Sequence, residues 1–147
     1  MRRFFCKDAL IEATNTHIHP EENHMKPFLL SALLLFSSLA QAEVTPFNAA
    51  EFDQKMKAGE AMVVAAHAPW CPTCRAQKPL LKALSLQPEY QALTIYEIDF
   101  DSQKTVLAGL KINRQSTIVA FKHGKEVSRS IGATSTSAIA SVLKATE

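Results

Sequence analysis

The chain has 147 residues, of which 47% are hydrophobic, 20% charged and 7% aromatic, with a formal net charge of +2. That length suits one globular domain rather than two large ones, and the apolar share excludes a wholly disordered chain. A near-neutral balance leaves no electrostatic footprint for nucleic acid, and three cysteines are too few for a disulfide scaffold, so any chemistry they do is local.

Residues 1–24 carry no apolar period, and Glu21 and Glu22 stand just ahead of Met25 and Lys26. Two Glu codons are purine-rich, and Asn23 and His24 set them two codons before Met25, an arrangement that resembles a bacterial ribosome-binding site. The expectation is that the chain starts at Met25 and that residues 1–24 are an over-extended gene model. Cys6, His17, His19 and His24 then have no function, and their spacing matches no defined metal site. Phe28 to Ala40 is the longest apolar run, broken only by Ser. Its 13 residues cannot cross a bilayer core, which takes about 20. They fit instead the hydrophobic region of a secretory signal peptide over residues 25–42. Ala40-Gln41-Ala42 puts small residues at both cleavage-determining positions, so cleavage is expected after Ala42, and no Cys follows it to carry a lipid.

The remaining domain, residues 43–147, holds twelve basic and ten acidic residues and keeps two cysteines, Cys71 and Cys74. Asn48-Ala-Ala-Glu51 is a capping-box-like helix start; Phe52 and Met56 share one face, and Gly59 closes the segment. Ala61 to Ala68 is a continuous apolar run that reads as a buried strand. A helix is expected from about Cys71 to Leu86, with Leu80, Leu81 and Leu84 as its apolar stripe and a kink at Pro79. Leu93 to Phe100 reads as a strand. Asp101-Ser102 is placed to cap a short helix through Val106, Leu107 and Leu110. Thr117 to Phe121 and Lys125 to Ile131 form a hairpin through His123-Gly124, Gly132 breaks it, and a last helix runs from about Ser135 to Lys144. Strands alternating with helices imply an α/β domain whose central mixed sheet has helices on both faces.

The chemistry concentrates at Trp70-Cys71-Pro72-Thr73-Cys74, between a buried strand and a helix. A helix N-terminus carries unpaired N–H groups and a partial positive charge, both of which stabilise a thiolate. Cys71 sits at that end and is the expected nucleophile. Pro72 fits the first helical turn without losing a hydrogen bond. Cys74, three residues on, lies on the same face, within reach of the Cys71 sulfur, and would resolve a mixed disulfide. The hydroxyl of Thr73 is also near enough to reach that sulfur, and Trp70 is a rim aromatic shielding the pair. Two other readings stay open: half of a zinc site, completed by His67 and His123, or a structural disulfide, which in so small a loop would add little stability.

This pattern resembles the thioredoxin family over essentially the whole of residues 43–147. The resemblance runs through the apolar strand, Trp70-Cys71-x-x-Cys74, Arg75, Pro79, the strand ending at Asp99-Phe100-Asp101, the Phe121-Lys122-His123-Gly124-Lys125 turn and Gly132. It implies the thioredoxin fold, thiol–disulfide exchange with protein thiols and disulfides, and no cofactor or metal beyond the Cys71–Cys74 disulfide itself.

The chain departs from the family pattern at three places. The family's cis-proline opposite the cysteines falls on Ser116. A cis bond before a non-proline costs about 2.5–4 kcal/mol, so either a trans bond or a strained site is expected, with the sulfurs more open to a metal ion. The family's buried Asp falls on Ala65 and its neighbouring-strand Lys on Glu97, which suggests Glu97 as proton acceptor for Cys74. His67 stands where the family often has an aromatic and is expected to pack in the core. The whole reads as a monomeric periplasmic thiol–disulfide oxidoreductase. With no sizeable insertion for an extra helical domain, a reductant fed by a membrane electron donor is the expected direction. A thiol-based metal-handling protein using Cys71, Cys74 and His67 is the alternative, and a redox-inert binding module a third.

Overall fold

The computed structural model describes residues 43–147; the expected upstream segment (1–24) and leader (25–42) lie outside the described residues. The apolar run after Gly59 contains β2 (Met62–His67), buried along its length except at half-buried His67. A strand covered on both faces needs no polar alternation, which is why its sequence is continuously apolar. Before it come β1 (Val44–Pro46) and α1 (Ala49–Ala58). After it come α2 (Pro72–Ser85), β3 (Thr94–Asp99), α3 (Lys104–Gly109), β4 (Thr117–Lys122), β5 (Lys125–Ile131) and α4 (Thr136–Lys144).

The sheet order is β1-β3-β2-β4-β5. β3 runs parallel to both β1 and β2, whereas β4 pairs antiparallel with β2 and with β5, giving the mixed sheet expected from the sequence. On one face Val63, Ala65, Ile95 and Ile118 pack with Leu81 and Leu84 of α2 and Ile139 and Leu143 of α4. On the other, Val64, Tyr96, Ile98 and Phe121 pack with Phe52 of α1 and Leu107 of α3. Phe52 meets Tyr96 and Phe121 edge-on, with ring centroids 6.1 and 5.5 Å apart, the arrangement favoured by ring quadrupoles.

Local chemistry sets most of the boundaries. Asn48 accepts from the Glu51 N–H at the start of α1, and Gly59, at φ 74°, returns its own N–H to Lys55 and Met56. The hairpin turn places both His123 (φ 52°) and Gly124 (φ 70°) in the left-handed region, as a two-residue connection of matching twist requires. A Cβ on Gly124 would lie 3.1 Å from the Met56 carbonyl oxygen, so the turn also seats against α1.

The expected cap at Asp101-Ser102 is displaced. Asp99 Oδ1 accepts from the N–H groups of both residues, Gln103 occupies the position before α3, and Asp101 is left free to serve the neighbouring loop. The buried stripe of α2 is Cys74, Gln77, Leu81, Leu84 and Ser85, with Leu80 half-buried at its margin, and the helix continues through an exposed Pro79. Strand β1 and a single 3-10 turn at Pro88–Tyr90 were not expected from the sequence.

Candidate active site

The chain leaves β2 at His67 and delivers Cys71 as the residue that caps α2, in extended backbone (φ −82°, ψ 115°). Its sulfur takes the place of the usual capping oxygen, accepting the Cys74 N–H at 3.1 Å. Pro72 fills the first helical position, where no N–H is needed. Cys74 lies one turn on, on the buried face. The two are free thiols, each only 2% exposed.

Opposite them, the loop before β4 brings in Ser116. The Gln115–Ser116 bond is trans and Ser116 is left-handed, at φ 61°. Such a conformation costs a non-glycine residue about 1–3 kcal/mol and persists only where its surroundings fix it. Here they do. The Ser116 N–H donates to Ala66 O at 2.9 Å, and its carbonyl accepts from Gly132 N–H at 2.8 Å and from Gln77 Nε2 at 3.1 Å. The Ser116 hydroxyl then stands 3.1 Å from each sulfur. Among the described residues it is this hydroxyl, rather than that of Thr73, that bonds the Cys71 sulfur.

The two thiols are unequal. Burial opposes ionisation of Cys71, but hydrogen bonds from Cys74, Ser116 and the main-chain N–H groups at the helix start outweigh it, and its pKa falls below the ordinary thiol value. Burial pushes Cys74 up, and the neighbouring Cys71 adds to that rise. Trp70, 54% exposed, forms the rim; its Nε1 donates to Asp101 Oδ2 at 2.8 Å. Arg75 reaches back to the Pro69 carbonyl at 3.1 Å, away from the sulfurs.

Behind Cys74, the register of β2 on β3 sets Ala65 beside Glu97. The Glu97 carboxylate accepts from Lys78 Nζ at 3.1 Å and stands 3.9 Å from His67 Nδ1. With Cys74 and Gln77 these residues line a cavity of about 10 Å³, near the lower limit for one water molecule. Glu97 thus faces Cys74 across a small space without bonding its sulfur directly. No three His, Cys, Asp or Glu side chains among the described residues are grouped to hold a metal ion, so His67 does not join the cysteines in a ligand set. Gln77 is the site residue the sequence reading missed. Its spacing of three from Cys74 puts it on the same helical face, and that was the available signal.

Comparison with known proteins gives a consistent result. Residues 43–145 match the family model described as Thioredoxin. Thioredoxin Asp f 29 of Aspergillus fumigatus is 33% identical over 87 residues, which is 58% of this chain and 79% of that protein. Thioredoxin-1 of Saccharomyces cerevisiae is 33% identical over 91 residues, 61% of this chain and 86% of that one. The crystal structure of Trxlp from Edwardsiella tarda EIB202 superposes with a TM-score of 0.66 at 38% identity, covering 69% of this chain and 98% of that one.

Iodoacetamide at neutral pH is expected to alkylate Cys71 about tenfold faster than Cys74, with the Cys71 rate reaching half its plateau below the ordinary thiol range. Peptide mass spectrometry reads both rates, and equal reactivity would contradict the asymmetry.

Proposed function

The chain belongs to the thioredoxin family and is a thiol–disulfide oxidoreductase; from that premise we propose that it is exported to the periplasm and works there as a monomeric reductant of protein disulfides. Members of the family exchange disulfides with protein substrates through their own redox-active cysteine pair and need no separate cofactor. The observation that carries the reading is the inequality of the two thiols at the start of α2.

The Cys71 thiolate attacks one sulfur of a substrate disulfide and expels the other as a thiolate, which takes a proton from solvent. Cys74 then gives up its proton and attacks the Cys71 sulfur, breaking the mixed disulfide. Two electrons have passed to the substrate, and the Cys71–Cys74 bond has formed. Glu97 takes the Cys74 proton through the cavity they share, held in place by Lys78. A membrane donor restores the dithiol. Support for the reducing direction comes from the short connections between elements within residues 43–147, which leave no room for the extra helical domain of oxidase-type relatives. Support for export comes from the signal-peptide pattern over residues 25–42. The metal-handling alternative has no ligand grouping in its favour among the described residues.

The protein is expected to reduce insulin disulfides. Cys71→Ser should abolish that activity, and Cys74→Ser should accumulate the mixed disulfide; full activity without Cys71 would refute the reading. Glu97→Gln should slow release of substrate from the mixed disulfide by about 100-fold while leaving Cys71 alkylation unchanged, and an unaltered release rate would remove Glu97 from the proton path. In a bacterial host, N-terminal sequencing of the exported protein should begin at Glu43 and that of its precursor at Met25. A precursor beginning at Met1 would contradict the proposed start.

A further inference from the structure

Ser116 Oγ lies 3.1 Å from Cys71 Sγ and 3.1 Å from Cys74 Sγ. A hydroxyl has one proton to give and two lone pairs, so it cannot donate to both sulfurs. Only one of the two possible arrangements matches their surroundings. Cys71 already accepts the Cys74 N–H at the positive end of α2 and is the sulfur that ionises, so it takes the hydroxyl proton. Cys74 keeps its own proton, which faces the Cys71 sulfur and the Ser116 oxygen, the latter at 3.1 Å and nearer than the Ala66 carbonyl at 3.8 Å. The charged side chains nearby do not compete for this place. Arg75 turns to the Pro69 carbonyl, Asp101 is held by Trp70, and Glu97 is paired with Lys78 beyond Cys74.

Resting on the oxidoreductase reading, we propose that Ser116 is a catalytic residue of the exchange reaction. Its hydroxyl holds the reduced pair as thiolate on Cys71 and thiol on Cys74, and so raises the pair's reduction potential. The bias is one-sided. When the Cys71–Cys74 bond forms, the Cys74 proton leaves and two electrons pass to the substrate. The hydroxyl then loses both its charged acceptor and its donor. A proline at this position has no hydroxyl and offers neither bond. The backbone supports the role, because the three hydrogen bonds to the main-chain groups of the left-handed Ser116 also fix the direction of its Cα–Cβ bond.

The test uses the full chain with Ser116→Ala and Ser116→Gly. Alanine keeps the backbone demand of the left-handed position and glycine relieves it, so a change common to both reports the hydroxyl. Both variants are expected to shift the equilibrium with glutathione about tenfold toward the protein disulfide, which corresponds to a potential about 30 mV more negative. Both should also raise the pH at which Cys71 alkylation reaches half its plateau. Unchanged equilibrium and alkylation profile in variants with the parent circular dichroism spectrum would overturn the proposal. So would a shift confined to the glycine variant, which would assign the effect to the backbone. A parent protein that never cycles would refute the oxidoreductase reading, yet the Cys71 profile would still decide the part played by Ser116.

Discussion

The hydrogen bond from the Cys74 N–H to the Cys71 sulfur is the contact on which the rest depends. It ties the capping of a helix to the ionisation of a thiol, so the structure that starts α2 is also the structure that favours the Cys71 thiolate. That coincidence is arranged from below. β2 is covered on both faces and ends two residues before Pro69, so the cysteine emerges just past the end of a buried strand. Pro72 then sets the first helical φ at no cost in hydrogen bonds.

Much of this was legible in the residues. The apolar run of β2, the Asn48 cap, the His123-Gly124 turn and the spacing of Cys71 and Cys74 are local signals, and each formed as read. What escaped was either too short or too distant in the chain. β1 has three residues, fewer than any periodicity can register, and owes its existence to pairing with β3. Asp99 took over the turn before α3 because one carboxylate oxygen reached two adjacent N–H groups, a competition that sequence spacing does not decide. The Ser116 hydroxyl meets Cys71 across 45 positions in the chain. The alignment that placed it opposite the cysteines could say what it replaced but not where its oxygen would point.

The charges around Cys74 show a related displacement. The family's buried acid is absent at Ala65, and a carboxylate enters one strand away, at Glu97, with a lysine supplied by α2 instead of the sheet. Parallel register makes the exchange possible, because side chains at paired positions of β2 and β3 project to the same side. The site thus keeps a carboxylate near Cys74, with Lys78 and His67 as its basic neighbours.

The way Ser116 is anchored also bears on how a visiting polypeptide can dock. Its amide proton is consumed by Ala66 and its carbonyl by Gly132 and Gln77. An incoming strand therefore meets no vacant peptide group at this residue. Selectivity among clients then falls to side-chain shape and charge around the rim, where the indole of Trp70 is fastened to Asp101.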